Sequence, residues 1–371
     1  MTGKPRVLMV GRTRYRLPLS PPLRRKFDAL SEQVDVRVLA SGSNGEDPRF
    51  VLVPPAKGLD GALFWAALPA RIAREVRRFR PDAILAQSPY EAAAAVAALR
   101  LARARARVLV DVHGDWRTST RLYGSPLRRL LGPAADRVAL RGLRGADTVR
   151  TISDYTTGLV RDAGIEPGDV FPAFMDLEPF LEPPRPLPER PRALFVGVLE
   201  LYKNVDGLAD AWRSAAPRVP EAMLHLVGSG ARTSVVERLV ADFPEQTRWT
   251  NELSTEEVAA ALDDSTLLVL PSRSEGLGRV IVEALCRGRP VLAAAVGGIR
   301  DIVRDGENGV LVPPGDTEAL ADALVRLLSD RAEAERLAAA ARPSVEPWLA
   351  TPEEYAQRVR LLVDGTIKPS P

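Results

Sequence analysis

The sequence predicts an α/β chain built as two Rossmann-like domains, each a doubly wound parallel sheet, facing across a cleft. Three observations carry that expectation. Short apolar runs rich in β-branched residues alternate with longer stretches of helical period, the rhythm of right-handed βαβ units whose strands are covered on both faces. The rhythm is interrupted once, by PPRPLPERP at Pro183–Pro191, where five prolines in nine residues exclude a helix interior or a central strand. It then begins again, and 371 residues suffice for two domains of ordinary size.

In chain order, strands are expected at Arg6–Val10, Val34–Ala40, Phe50–Val53, Ala83–Ala86, Arg107–Val112 and Thr148–Ser153, with helices such as Phe64–Phe79 and Glu91–Arg103 between them. The proline stretch reads as a stiff surface linker. Beyond it, strands are expected at Ala193–Val196, Met223–Val227, Leu267–Pro271, Pro290–Ala294 and Gly309–Val312. Thr351, Pro352 and Glu354 give the start signal of a last helix, with Trp348, Tyr355, Val359 and Leu362 as its apolar stripe. Residues 1–184 are thus expected to form a first domain and 185–347 a second. Residues 348–371 form a helix that either crosses back to the first domain or packs on the second, with a loose tail over Gly365–Pro371.

Composition narrows the function. A single cysteine, Cys286, excludes an intrachain disulfide and a cysteine zinc site, and two histidines, His113 and His225, exclude a His-rich metal site. No apolar run of about 18 residues occurs, and PRVLMVG near the start is no signal peptide, so a cytoplasmic protein is expected. A net charge of +3 gives no argument for nucleic acid. The charge is unevenly spread: 29 Lys and Arg against 20 Asp and Glu in residues 1–184, and 22 against 28 in the remainder. Either the first half faces something anionic, or two oppositely charged domains attract.

The most informative segment follows the strand TLLVLPS. It reads SEGLGRVIVEALCRGRPVLAAAVGGIRDIVRDGENGVLVPPGD. Glu275 sits where strand gives way to turn, Gly276 and Gly278 loosen that turn, and Glu283 falls within the helix that follows. Eight helical residues would span about 12 Å. The helix N-terminus between the two carboxylates, with its unpaired N–H groups, is a natural seat for a diphosphate, and Arg279 adds charge there.

EGLGRVIVEALCRGRPVLAAAVGG resembles, without a gap, the Glu-x7-Glu frame of the retaining glycosyltransferases of family 4, which have the two-domain GT-B architecture. DIVRDGENGVLVPPGD continues the likeness. ALFVGVLELYKNVDGLADAW resembles the family's G-R-L-x-x-x-K-G segment, and HLVGSG its V-G-x-G turn. The likeness is strong over the second domain and looser over the first. It implies a sugar transfer from a nucleotide-sugar donor to a hydroxyl acceptor, with retention of configuration. Glu275 would bind the donor sugar and Glu283 the ribose hydroxyls. Lys203 would neutralise the departing diphosphate. Gly11, Gly228, Gly230, Gly276, Gly278 and Arg279 would line the donor. His113, after VLVDV, would stand near acceptor and donor sugar and act with Lys203 and Glu275 in catalysis. Arg14, Asp115 and Trp116 are the acceptor-side candidates. His225 reads as a packed strand residue.

The chain departs from the family at several places. Val198 stands where an arginine is expected, and Arg279 or an arginine of the first domain is the candidate substitute. Only Gly11 remains of a glycine-rich first loop, followed by Arg12, Arg14 and Arg16. Ala173 stands where asparagine is common. No Asp-x-Asp pair occurs, so the expectation is transfer without a metal and with no cofactor, the nucleotide sugar (a UDP, GDP or other donor) being a substrate. Domain closure is expected to exclude water. The acceptor is a sugar, a lipid-linked or a small-molecule hydroxyl. The alternatives are a non-catalytic nucleotide-sugar-binding protein, a nucleotide-sugar epimerase, and a nicotinamide oxidoreductase, which the absent G-x-G-x-x-G opposes. Finally, FWAALPARIAREVRRFR at residues 64–80, with Arg121, Arg128, Arg129, Arg137, Arg141 and Arg144, reads either as helices covering a sheet or as a basic amphipathic surface for the inner membrane face.

Overall fold

In a computed structural model of the protein, residues 3–43, 45–54, 60–118 and 130–368 are described. The chain divides into two compact units, Met1–Phe174 with Ala350–Pro371, and Met175–Leu349.

The first unit runs β1 (Arg6–Arg16), α1 (Pro21–Gln33), β2 (Asp35–Ser43), β3 (Phe50–Val53), α2 (Asp60–Phe79), β4 (Ala83–Ala86), α3 (Pro89–Ala102), β5 (Arg107–Val112), α4 (Gly132–Gly145), β6 (Thr148–Thr151), α5 (Asp154–Asp162) and β7 (Asp169–Val170). Its strands form a parallel sheet in the order β3-β2-β1-β4-β5-β6-β7. The direction of winding reverses between β1 and β4. Two apolar clusters cover the sheet. One joins Phe64, Leu68 and Ile72 of α2 to α3. The other joins Phe27 and Leu30 of α1 to Tyr355, Val359 and Val363 near the end of the chain.

The second unit runs β8 (Arg192–Val196), α6 (Val205–Ala215), β9 (Met223–Val227), α7 (Thr233–Asp242), β10 (Thr247–Thr250), α8 (Thr255–Asp263), β11 (Leu267–Leu270), α9 (Arg279–Cys286), β12 (Val291–Ala294), α10 (Ile299–Ile302), β13 (Gly309–Val312), α11 (Thr317–Ser329) and α12 (Arg331–Ala341). The strands are parallel in the order β10-β9-β8-β11-β12-β13, reversing between β8 and β11. Every residue of β11 and β12 is buried, as a strand covered on both faces requires. The last helix, α13 (Pro352–Ile367), starts on a Thr351–Glu354 capping box and belongs to the first unit. There Arg360 donates to the Gln33 carbonyl at 2.8 Å, and the Thr366 hydroxyl bonds that of Thr148 at 2.9 Å.

Four differences from the sequence expectations have physical causes. Gly11 does not close the first strand, and Arg12, Arg14 and Arg16 are not on a loop. Past a register shift after Val10, β1 leaves β4 and continues along β2, with Arg14 opposite Ser41 and Arg16 opposite Ser43. Tyr15 anchors this extension by packing edge-on against Phe27 and Phe50. The short edge strand β10 has only Trp249 as a large apolar residue, so no apolar run announced it. The expected loose tail is partly helical, since Gly365, Thr366 and Ile367 complete α13.

The fourth concerns the proline stretch, which lies within the second unit as a strap rather than a free spacer. Prolines have no N–H to offer a ladder, so the segment's carbonyls need other donors. Arginine forks provide them. Arg342 donates to the carbonyls of Phe180 and Leu181, Arg287 to Glu182, Arg289 to Arg185, and Arg331 to Leu187 and Pro188, at 2.9–3.2 Å. Arg287 and Arg289 are buried and share Asp263 as counter-charge.

Candidate functional site

Open α/β sheets place ligands beyond the carboxyl ends of their strands, at the point where the winding reverses. In the second unit that point lies between β8 and β11, and the loops leaving these strands carry Lys203 and Glu275. Lys203 ends the single turn Leu201–Lys203, with its side chain largely buried. Its Nζ lies 2.6 Å from Glu275 Oε2. The Ser272 hydroxyl donates to the same oxygen at 3.4 Å. Two residues 72 positions apart in sequence thus form a charged pair at the sheet's reversal.

Glycines let the surrounding backbones approach. Gly228, at φ +140°, lies so close to the Gly197 carbonyl that a Cβ would stand 1.9 Å from its oxygen. Gly278, at φ +81°, takes the left-handed conformation that turns the chain into α9. Gly230 precedes α7 and donates its N–H to the Thr233 hydroxyl. Gly276 lies in the turn on which the Gly297–Gly298 loop packs, where the Gly298 N–H donates to the Glu275 carbonyl at 3.2 Å.

One turn into α9, Glu283 is nearly buried. Burial pushes its carboxyl above the usual range, and Arg279 opposes that shift. Arg279 Nε lies 2.6 Å from Glu283 Oε1, and its Nη2 donates to the Asp176 carbonyl at 3.2 Å. Val198 is half-exposed on the loop after β8. His225 stands outside this group, half-buried on β9. Its ring bonds the Thr250 hydroxyl at 2.9 Å. Burial, helped by Arg248 and Arg192, lowers it to about 4.

In the first unit, Gly11 of β1 lies against the Gln87 side chain that follows β4, where a Cβ would overlap Gln87 Oε1. The Thr13 hydroxyl donates to the same Gln87 oxygen at 2.8 Å. Arg14 lies exposed on the extended part of β1. His113, Asp115 and Trp116 leave the end of β5 together. His113 is exposed, with Nε2 3.6 Å from Asp111 Oδ2. Asp115 pairs with Arg117 at 2.7 Å, and the Trp116 carbonyl accepts the Tyr90 hydroxyl at 3.2 Å.

Sequence reasoning passed over the support beneath His113. Asp111 and Arg150 face each other across β5 and β6 and approach to 2.9 Å. Arg150 is fully buried, stacked 3.8 Å over Phe171, and donates to the carbonyls of Phe171 and Pro172. Burial alone would raise the Asp111 carboxyl, but Arg150 and His113 overcome it and hold it at about 2. The signal was present: VLVDV carries one acid in an otherwise apolar run, and TVRT carries one base. Ser272, Asn204 and Arg273 were also missed, because nothing in their spacing marks them. Among the described residues no group of three or more His, Cys, Asp or Glu is placed to hold a metal ion.

Two units, each a parallel Rossmann-like sheet with one reversal of winding, are of the class of GT-B glycosyltransferase folds. Residues 22–173 match the glycosyl transferase 4-like domain, and residues 180–343 match the family of glycosyl transferases group 1. The chain is 30% identical over 269 residues to a GDP-mannose-dependent α-(1-6)-phosphatidylinositol monomannoside mannosyltransferase of Mycobacterium tuberculosis, covering 67% of this chain and 69% of that one. It is 29% identical over 299 residues to the sulfoquinovosyl transferase of Arabidopsis thaliana, covering 76% of this chain and 56% of the relative. The fold matches sucrose-phosphate synthase from Thermosynechococcus elongatus at a TM-score of 0.78, with 22% identity and 97% and 98% of the two chains covered. It matches Anabaena HepE in complex with UDP and glucose at 0.70, with 19% identity and 96% and 98% covered. This chain therefore belongs to the group 1, family 4 glycosyltransferases. Its match spans about half the length of several relatives, 56% of the Arabidopsis protein and 41% of an α-D-kanosaminyltransferase of Streptomyces kanamyceticus.

Proposed function

We propose that the protein transfers a sugar from a nucleotide-sugar donor to a hydroxyl acceptor, with retention of configuration and without a metal ion. The observation that carries this reading is the Lys203–Glu275 pair at the reversal of the six-stranded sheet. A diphosphate needs a fixed cation and the adjoining sugar needs a hydrogen-bond acceptor for its hydroxyls, and the pair offers both side by side. Glu283 takes the ribose hydroxyls at the far side of the α9 N-terminus. The backbone around Gly228, Gly230, Gly276 and Gly278 admits the donor closely.

In the reaction, the bond between the anomeric carbon and the phosphate oxygen breaks. The acceptor oxygen bonds the same carbon from the same face, and its proton passes to the departing phosphate. Lys203 stabilises the negative charge that develops as the diphosphate leaves. His113 holds the acceptor hydroxyl or the donor sugar, and Arg14, Asp115 and Trp116 shape the acceptor side. The first test is release of nucleoside diphosphate from a panel of nucleotide sugars, each with and without sugar and lipid acceptors. Turnover that is lost in E275A and unchanged by chelator is expected. Unchanged turnover in E275A removes Glu275 from the site, and strong inhibition by chelator overturns the metal-free reading.

A second observation bears on the acceptor. Helix α4 exposes Arg137, Val138, Arg141 and Arg144 along one face, and Leu130 and Leu131 just before it are 77% and 53% exposed. Apolar side chains among arginines suit an anionic lipid surface, where a lipid-linked hydroxyl would be presented. Arg121, Arg128 and Arg129 lie outside the described residues. No helix among the described residues is long and apolar enough to cross a membrane. Co-sedimentation with anionic but not neutral vesicles, reduced in R137E/R141E, is the expected result. Equal recovery with both vesicle types argues against the lipid surface.

A further inference from the structure

The two loops that carry Lys203 and Glu275 are tied together one residue from the lysine and two from the glutamate. Asn204 follows Lys203 in the left-handed conformation, at φ 54° and ψ 42°. Glycine is the residue that takes this conformation without cost, and the family frame K-G has glycine at this position. Here asparagine stands instead, and its side chain has a specific use. Asn204 occupies the N-cap of α6, yet its side chain caps nothing. Its Oδ1 accepts two N–H groups of Arg273, from Nε at 3.0 Å and Nη2 at 2.9 Å. The Arg273 backbone N–H donates to the Tyr202 carbonyl at 2.7 Å. Gly207 leaves the room required, since a Cβ there would stand 2.6–2.9 Å from the Asn204 amide. Asn204 itself is 4% exposed.

The geometry points to Asn204 and Arg273 as positioning residues that brace the β8 and β11 loops and so set the separation of Lys203 from Glu275. This rests on the donor-site assignment above. A lysine is a point charge on a flexible four-carbon stem, so its placement depends on the backbone beneath it. The brace fixes that backbone relative to the glutamate turn. It remains in place when a diphosphate draws Lys203 away from Glu275, because none of its three hydrogen bonds involves either side chain. Arg273 acts here through its fork. Two of its donors are committed to one oxygen, a geometry that lysine cannot reproduce.

The test compares N204G, N204D, R273K and R273M in two measurements. The first is steady-state turnover with the nucleotide sugar that the wild-type protein accepts. The second is backbone amide exchange over residues 199–204 and 272–278 of the ligand-free protein. N204G relieves the left-handed backbone while deleting the acceptor oxygen, so a loss there is not a folding effect. N204G, R273K and R273M are each expected to lower kcat by roughly 10- to 100-fold, with a smaller change in donor KM. N204D retains the acceptor and is expected to hold kcat within about threefold of wild type. Exchange should quicken in both loops together in N204G and R273M.

Wild-type turnover in N204G, or quickened exchange in only one loop, would overturn the brace. R273K at full activity would overturn it too, by making Arg273 a simple charge. If the wild-type protein turns over no nucleotide sugar, the donor-site assignment fails, and the exchange measurement still decides whether the loops are braced.

Discussion

Each unit ends a strand with a carboxylate–cation pair, and the two pairs are built in opposite ways. Asp111 and Arg150 are closed in on every side. The guanidinium is fully buried, stacked on Phe171, and donates to two carbonyls, with Tyr355 of α13 5.7 Å away. Lys203 and Glu275 are as close, but their other neighbours are few: the Ser272 hydroxyl at 3.4 Å and the Tyr202 ring. A pair shut off from solvent, as Asp111 and Arg150 are, offers no charge to a ligand. A pair at the reversal of a sheet, held mainly by itself, can exchange its internal partner for a substrate charge. The contrast separates an enclosed ion pair from one at a sheet's reversal, where the proposed chemistry falls.

The strongest way to break this contrast is to remove one charge from the closed pair. R150M leaves Asp111 buried without its partner, and a loss of about 3–5 kcal/mol in urea unfolding is expected. A loss below about 1 kcal/mol would mean that the pair is not structural. Next comes the open pair. K203A should leave unfolding nearly unchanged while lowering kcat by about 10²–10³-fold. An equal loss of stability without a change in kcat would place Lys203 with Arg150 among the structural cations.

Acid sharpens the same comparison. The Asp111 carboxyl sits at about 2 when folded, against its ordinary value of 3.8. The unfolded chain therefore takes up its proton first. Stability from this group is complete above about pH 5 and is lost as the pH falls toward about 1, by roughly 2 kcal/mol. His225 acts in a separate window. Its folded value of about 4 lies below the ordinary 6.5, so acid favours the unfolded chain between those two values. H225Q, which can still bond Thr250, should flatten the fall in melting temperature between pH 6.5 and 4 while leaving the steeper fall below pH 4. An unchanged profile would show that His225 contributes no linkage.

Much of this arrangement was legible in the residues, and the exceptions have reasons. Parallel strands covered on both faces read as largely apolar runs, so Phe50–Val53, Ala83–Ala86, Arg107–Val112, Met223–Val227 and Gly309–Val312 match their expected bounds. The extension of β1 was hidden because its arginines alternate outward, leaving only Tyr15 to mark it. In the proposed donor site, Lys203, Glu275 and Glu283 were marked by motif. Their supports were not: Asn204, Ser272 and Arg273 are ordinary loop residues until the loops after β8 and β11 come together. Asp111 was visible as a charge in an apolar strand, but its pairing with Arg150 needed the register of β5 and β6.

The first unit is discontinuous, and this bears on how the protein is made. Phe27, Leu30 and Val34 are covered in part by Tyr355, Val359 and Val363, which the ribosome adds only after the whole of Met175–Leu349. During synthesis the earlier segment must therefore wait with an apolar surface uncovered while the later unit is translated and folds. That gap is when a holding chaperone would find this surface.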